Sequence, residues 1–179
     1  MRIGQRSALV LSLLVFAGAC STTSPAPEQD WDYGLDSVFI RYSSSACFGT
    51  CPVVDAFAFP DGEVFLKSGR PGIADATHVP ATAISSLHGT SFEGLLDTLD
   101  DMELRRLAGE YDTPAVCNKI YTDHSTLILE VNAPRRQDKI VYYLGCKGFA
   151  EEQAVRSIFE TVQTALGVSE FVGAGLSPD

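Results

Sequence analysis

The sequence predicts an α+β domain in which a mainly antiparallel sheet of about five strands is covered on one face by two or three helices. Segments rich in β-branched and aromatic residues occur in runs, tight-turn signals join neighbouring segments, and two amphipathic stretches have helical spacing. A hydrophobic share of 45% and a mean hydropathy of +0.08 over 179 residues are enough for one sizeable core. The order of the strands does not follow from the sequence.

The first 19 residues are organised like a secretory leader. Arg2 and Arg6 form a positively charged start, residues 8–17 are apolar but too few to span a bilayer, and three small residues precede Cys20. This cysteine resembles that of a bacterial lipobox, which receives a diacylglycerol and becomes the mature N-terminus. The alternative is an ordinary signal peptide that is cut nearby and leaves Cys20 as a spare thiol.

The residues after the leader predict a membrane-attached domain. Ser21 is not the aspartate that retains enterobacterial lipoproteins at the inner membrane, which favours the outer membrane, facing the periplasm. Residues 20–34 contain almost nothing to bury, so we expect a flexible tether. A single globular domain is expected over 35–173 and a frayed tail over 174–179.

The charge of the chain argues against nucleic acid as a partner. The formal net charge of −10 becomes −12 in the mature chain, because loss of Arg2 and Arg6 leaves 11 basic against 23 acidic residues. Phosphate binding requires clustered Lys and Arg, which this composition does not favour. The acidic exterior of a soluble domain accounts for the charge.

Three strands are predicted in the first half of the domain. Residues 38–42, 53–59 and 63–67 are rich in β-branched and aromatic side chains. The last two segments are joined by Pro-Asp-Gly at 60–62, in which Gly62 can adopt the positive φ of a tight turn. These two strands are therefore expected to form a hairpin.

The second predicted strand carries one acidic residue on an apolar face. Side chains alternate along a strand, so Asp55 shares a face with Val53, Phe57 and Phe59. An acid in such a row is more often found at an irregular position than in a functional site. We therefore expect Asp55 at a strand end or a bulge.

Two helices are predicted next. After Ser91, a candidate N-cap, apolar residues recur at i, i+3, i+4 and i+7, as in an amphipathic helix: Phe92, Leu95, Leu96 and Leu99. Asp100 or Asp101 is expected to cap a second, short helix. That helix carries Leu104 and Leu107 and is expected to end near Gly109.

The second half predicts a hairpin followed by a long helix. Residues 126–131 and 139–143 have strand-like patterns, and the polar segment 132–138 is expected to join them as a loop. Helical spacing then recurs at Val155, Ile158, Phe159, Val162 and Leu166. Gly167 is a natural C-cap, and Phe171-Val172 is expected to pack back on the core.

Four cysteines remain besides Cys20, which follows the leader, and in an oxidising compartment an even number predicts two disulfides. Three pairings are possible. We favour Cys117 with Cys146, because they flank the predicted hairpin on opposite sides, which leaves Cys47 with Cys51. In the chain-entropy model, closing a loop of about 30 residues contributes about 3.6 kcal/mol and closing one of about 5 residues about 2 kcal/mol.

The spacing of Cys47 and Cys51 argues against a redox site of the thioredoxin type. Such enzymes use C-x-x-C at a helix N-terminus, which lowers a thiol pKa, whereas here C-x-x-x-C is followed by Pro52 and a strand. The histidines have no metal-ligand spacing relative to the cysteines or to each other: His78, His88 and His124. No metal site is predicted.

The sequence Thr122-Asp123-His124 places an acid beside a histidine, a combination that can serve acid–base chemistry. Neighbours in a strand point to opposite faces, so adjacency alone does not make a working pair. Asp123 is expected to be a turn or strand-start residue. The chain also has no nucleophile elbow, phosphate-binding glycine loop or zinc-protease motif, so we predict no catalytic residue and no cofactor.

The segment Ala-Cys-Phe-Gly-Thr-Cys-Pro at 46–52, followed by a strand, Asp61-Gly62, Tyr111 and Thr122-Asp123, resembles a family of uncharacterised bacterial envelope proteins, the domain-of-unknown-function family 6438. The resemblance covers most of residues 37–166. The chain has Val54 where the family's C-F-G-x-C-P-x-Y pattern usually has tyrosine. The resemblance implies a fold but no activity.

The sequence thus favours a non-catalytic, lipid-anchored envelope domain that contacts the membrane through its lipid and binds an unidentified protein or cell-wall component. The alternative is an envelope enzyme or a thiol–disulfide redox protein that uses the Cys47–Cys51 loop, with Asp61 or Asp123 nearby. The candidate functional loop residues are Phe48, Gly49, Pro52, Asp61, Gly62 and Asp123.

Overall fold

A computed structural model describes residues 37–48, 51, 53–69 and 83–169. The predicted leader, tether and tail, and the segment at 171–172, lie outside these residues. The elements within them are β1 (Phe39–Ser44), β2 (Val53–Ala58), β3 (Glu63–Gly69), β4 (Ala83–Ser86), α1 (Phe92–Asp101), α2 (Leu104–Leu107), β5 (Gly109–Tyr111), β6 (Lys119–Ile120), β7 (Thr126–Ala133), β8 (Arg136–Tyr143), β9 (Cys146–Lys147) and α3 (Glu152–Ala165).

One sheet has the strand order β4-β3-β2-β1-β7-β8-β5, and β6 pairs with β9 in a second, two-stranded sheet. All neighbouring strands of the large sheet are antiparallel except β5 and β8, which are parallel. The predicted α+β class is confirmed, but the sheet has seven strands rather than five. The additional strands β4 and β5 have only four and three residues, too few for a recognisable alternating pattern.

The core lies between the inner face of the sheet and the helices. Ile40 and Tyr42 of β1 are fully buried there, and so is Phe159 of α3, whose ring centroid is 6.2 Å from that of Tyr42. Gln163 Nε2 donates a hydrogen bond of 2.9 Å to the Tyr42 hydroxyl, and burial raises the pKa of Tyr42 to about 12. Helix α3 is therefore attached to the sheet by both apolar and polar contacts.

Helix α1 starts as predicted, whereas the residue that precedes α2 differs from the prediction. Ser91 caps α1, because its Oγ accepts a hydrogen bond from Gly94 N at 3.0 Å. The residue before α2 is Glu103, in a left-handed conformation at φ 59°, so neither Asp100 nor Asp101 caps that helix. Helix α2 ends at Leu107, close to the predicted end near Gly109, and Gly109 itself begins β5 after Ala108.

The second hairpin is longer and tighter than predicted. Strands β7 and β8 pair without interruption from Thr126↔Tyr143 to Ala133↔Arg136, so only Pro134 and Arg135 form the turn. Arg135 has a φ of 63°, a conformation that the sequence does not signal. The predicted seven-residue loop is therefore wrong. Pairing across the sheet extends the strands through polar residues that show no strand preference.

The strand directions define two ends of the sheet. The disulfide end comprises residues 45–48, 51, 112–125 and 144–151, which follow β1, β5 and β8 and precede β2 and β7. The turn end comprises residues 37–38, 59–62 and 134–135. The described chain enters the fold at the turn end, at Ser37.

Candidate functional site

Both disulfides lie at the disulfide end and have the pairing that the sequence favours. Cys47–Cys51 closes the β1–β2 connection, and Cys117–Cys146 joins the segment before β6 to β9. Cys117 and Cys146 are 6% and 0% exposed, whereas Cys47 and Cys51 are half-buried. The longer bridge therefore belongs to the core and the shorter one to the surface.

The base of the β1–β2 connection is attached to its neighbours independently of the disulfide. Ser44 Oγ accepts a hydrogen bond from Val54 N at 3.1 Å. Ser45 exchanges two hydrogen bonds of 2.9 Å with Thr126 of β7: its N donates to the carbonyl oxygen, and its Oγ accepts from Thr126 N. The Cys47–Cys51 bridge consequently constrains only the tip of the loop, which includes Phe48.

The large hydrophobic side chains that are exposed among the described residues all lie at the disulfide end. Isolated exposed apolar residues are common on protein surfaces, but several at one end indicate a contact surface. They are Phe48 (88% exposed), Val116 (37%), Ile120 (40%) and Tyr121 (51%). Phe48 was predicted as a candidate functional residue because it lies between two cysteines. Ile120 and Tyr121 were not predicted, because they belong to no recognisable sequence motif.

Tyr143 holds the segment that contains Tyr121. The Tyr143 hydroxyl donates to the Tyr121 carbonyl oxygen at 2.8 Å and accepts from His124 N at 3.3 Å. A Cβ atom at Gly145 would lie 2.1 Å from the same carbonyl oxygen, so this close approach requires glycine. Tyr121 is therefore exposed on a backbone that is fixed on both sides.

Asp123 and His124 do not form a catalytic pair. Asp123 lies in a bend with φ 70°, as expected for a turn residue, and its Oδ2 accepts a hydrogen bond of 3.1 Å from Thr122 Oγ1. The His124 ring instead packs edge-on against Tyr143, with centroids 6.4 Å apart. Both side chains are exposed.

The remaining sequence candidates do not join the cysteines in one site. Asp61 lies at the turn end, where its Oδ1 accepts from Glu63 N at 3.0 Å and Gly62 has φ 85°. Asp61 is thus separated from the Cys47–Cys51 loop by the length of β2. Gly49 and Pro52 lie outside the described residues.

Asp55 belongs to a charge network on the outer face of the sheet. Arg41 donates to Asp55 from Nε at 2.8 Å and from Nη2 at 3.2 Å, and from Nη1 to Glu130 at 3.0 Å. Lys139 Nζ is 2.9 Å from Glu130 Oε1. Asp55 is in the middle of β2, so the expected strand end or bulge is wrong, and the network links β2, β1, β7 and β8.

We expect Glu130→Gln to lower stability at neutral pH but not in acid. Burial alone raises the pKa of Glu130, but hydrogen bonds and charges from Lys139 and Arg41 outweigh it, so the pKa lies below its usual value. A lowered native pKa stabilises the fold above the unfolded-state pKa of about 4.3, and this contribution is lost as the pH falls through the native pKa. Urea denaturation at pH 7, 5, 4 and 3 should show the difference between wild type and variant shrinking below pH 5.

Glu160→Gln is the control for this measurement, because Glu160 is exposed on α3 and has no ion pair in the described part of the chain. Its stability should follow that of the wild type throughout. A Glu130→Gln difference that persists unchanged at pH 3 would show that packing, not charge, is what Glu130 contributes.

The described residues contain no cluster of three or more His, Cys, Asp or Glu side chains that could hold a metal ion. Within the same ranges, no helix has both the length and the apolar character needed to cross a bilayer. The site is therefore described by its disulfides, its fixed loops and its exposed hydrophobic residues.

Fold and site together define a small disulfide-bonded α+β domain with helices on one face of its sheet. The chain belongs to the family described as a domain of unknown function (DUF6438), whose model matches residues 38–166. Comparisons with curated proteins and with solved structures found no match. The family assigns a fold unit and no activity.

Proposed function

We propose that this protein is a lipid-anchored domain of the bacterial envelope that binds a protein or a cell-wall component through the disulfide end and carries out no chemistry itself. The observation that carries the proposal is the position of Phe48, Val116, Ile120 and Tyr121, all exposed at that end. In this proposal, Cys20 carries the lipid that holds the protein in the outer membrane, and the folded domain faces the periplasm.

Two described segments at the disulfide end favour binding because hydrogen bonds already hold their backbones, at Ser45 and at Tyr121. Aromatic side chains such as Phe48 and Tyr121 supply much of the energy in protein interfaces. Ordering a loop during association costs free energy, and a disulfide or a fixed backbone removes much of that cost. The hydrogen bonds of Ser45 and Tyr143 fix the two segments before a partner arrives.

The proposed anchor agrees with the direction of the fold. The described chain begins at Ser37 at the turn end, opposite the disulfide end. A 15-residue tether over 20–34 spans at most about 50 Å when fully extended. The domain would therefore be attached by one end and present Phe48 at the other.

A photo-crosslinking residue in place of Phe48 tests both parts of the proposal in intact cells. We expect an adduct from position 48 and none from Asp61, an exposed position at the turn end. Adding Cys20→Ser should move the protein from the membrane fraction to the soluble periplasm. Co-sedimentation of the mature chain with isolated cell walls distinguishes a wall component from a protein partner.

Equal adducts from positions 48 and 61, or none from either together with no cell-wall binding, would contradict the contact face. Unchanged membrane association of Cys20→Ser would remove the lipid anchor from the proposal. These two failures are independent, since one concerns the folded domain and the other its N-terminus.

One observation favours the alternative of a redox protein: Cys47 and Cys51 are half-exposed, whereas Cys117 and Cys146 are buried. A reductant can therefore reach the short bridge more easily. Equilibration with glutathione buffers separates the two functions, because structural bridges have potentials below about −300 mV and exchange-active ones are more oxidising. A more oxidising Cys47–Cys51 bridge would favour the alternative.

A further inference from the structure

The turn end contains a groove that is separate from the disulfide end. Its volume is about 610 Å³, within the range of small-molecule sites. One wall is the start of the described chain and the other is the β7–β8 hairpin. The residues that line it are Ser37, Val38, Asn132, Ala133, Pro134, Arg135, Arg136 and Gln137.

The described lining of the groove is basic, whereas the protein is acidic. Among the lining residues that the structure describes, two are arginines, Arg135 and Arg136, and none is a carboxylate, while the whole chain has a net charge of −10. Arg135 is exposed on the tight turn, where its φ of 63° fixes the backbone, and it has no ion pair in the part of the chain that the structure describes. This guanidinium is available to an anion.

Arg136 also lines the groove, as a buried guanidinium that is already paired with two carboxylates. Its side chain is only 7% exposed; Nη1 lies 2.8 Å from Asp100 Oδ1, and Nε donates to Asp138. Nη2 is buried and has no hydrogen-bond partner among the described residues. A buried donor without an acceptor is unfavourable, and because Arg136 lines the groove, a ligand oxygen that displaces the atoms covering Nη2 would supply the acceptor.

The rest of the lining is suited to a small ligand with an apolar part. Asn132 Nδ2 donates to the Ser37 carbonyl oxygen at 2.6 Å, which joins the two walls. Val38, Ala133 and Pro134 contribute apolar surface beside the arginines. Guanidinium groups bind carboxylates through paired hydrogen bonds, so charge and apolar surface are recognised together.

We propose that this groove binds a ligand with a carboxylate on a short apolar body, held by Arg135 and Arg136. The site is distinct from the disulfide end and independent of the function proposed for that end. Its position beside Ser37 places it where the proposed tether joins the domain.

The proposal can be tested by following backbone amide resonances of the mature chain, with Cys20→Ser to prevent lipidation, during titration with N-acetylalanine. We expect saturable shifts at Val38 and over 132–137, except at Pro134, which has no amide proton. N-acetylalaninamide, which has the same body without the charge, should cause none, and inorganic phosphate should bind more weakly. Equal shifts with the amide would overturn the proposal, and equal or tighter binding of phosphate would reject the carboxylate.

Two single substitutions with the same loss of charge locate the binding. Arg135→Asn should weaken N-acetylalanine binding about tenfold, because asparagine tolerates a positive φ but offers no guanidinium. Lys119→Gln removes an exposed charge at the disulfide end and should leave the affinity unchanged. Equal affinities in the two variants would overturn the site.

Arg136→Lys tests the buried cation separately, since lysine keeps the charge but not the planar fork. It should weaken binding at least as much as Arg135→Asn, with amide resonances outside the groove unchanged. Full affinity in this variant would remove Arg136 from the site. If it does not fold, the comparison of Arg135→Asn with Lys119→Gln still decides the proposal.

Discussion

Replacing Cys117 and Cys146 together with alanine is expected to lower the free energy of unfolding by about 3.6 kcal/mol, against about 2 kcal/mol for the same replacement of Cys47 and Cys51. The bridges span sequence separations of 29 and 4 residues, so the longer one removes more entropy from the unfolded chain. Urea denaturation of both double variants under oxidising conditions measures the difference.

Packing should increase the cost at the longer bridge beyond the entropic figure. Cys146 is fully buried, pairs with Ile120 across the small sheet, and lies among core residues that include Leu144 and Phe149. Alanine removes both sulfur atoms from this region and leaves space that neighbouring groups fill only in part.

The Cys47–Cys51 variant is the matched control, because it removes the same atoms from a half-exposed loop whose base is already fixed through Ser45. It should retain the wild-type m-value. A short-loop variant that is as unstable as the long-loop variant would contradict the assignment of Cys117–Cys146 as the main stabilising bridge.

Patterns confined to a few neighbouring residues made part of this fold predictable. The helical stripe after Ser91 and the glycine after α3 act within one or two turns of chain, and the structure has both features where they were expected. The cysteine pairing followed from hairpin topology, since two strands that pair must bring their flanking residues together.

Features that depend on distant partners could not be predicted in this way. Strand β5 has three residues and exists because β8 offers it a free edge, which no local pattern records. Asp55 is stable inside β2 because Arg41 on the neighbouring strand pairs with it. The basic groove brings Ser37 next to Arg136, 99 residues later, a proximity that only the sheet order creates.

Among the single substitutions considered, Phe159→Ala is expected to have the largest effect on stability. It should lower the free energy of unfolding by about 4 kcal/mol. Phe159 is 0% exposed, and its ring centroid lies 6.2 Å from that of Tyr42 and 6.1 Å from that of Tyr142. Truncation leaves a cavity between α3 and the sheet, bordered by rings that cannot close it.

Phe48→Ala deletes the same atoms from a side chain that is 88% exposed, so the free energy of unfolding should change by no more than about 0.5 kcal/mol. Thermal and urea denaturation of the two variants measure this contrast. A Phe48→Ala variant that is destabilised as strongly as Phe159→Ala would show that Phe48 packs inside the fold.

The same pair of variants separates stability from binding. If Phe48 contacts a partner at the disulfide end, Phe48→Ala should weaken that contact while its stability is unchanged. The loss can be measured as reduced co-sedimentation with cell walls, or as reduced crosslinking from a second position on that end, such as Tyr121. Phe159→Ala, assayed at a temperature where it remains folded, should keep the contact, because its cavity is under the sheet and away from that surface. Loss of contact in Phe159→Ala alone would mean that the contact depends on the core beneath α3 and not on the exposed tip of the β1–β2 loop.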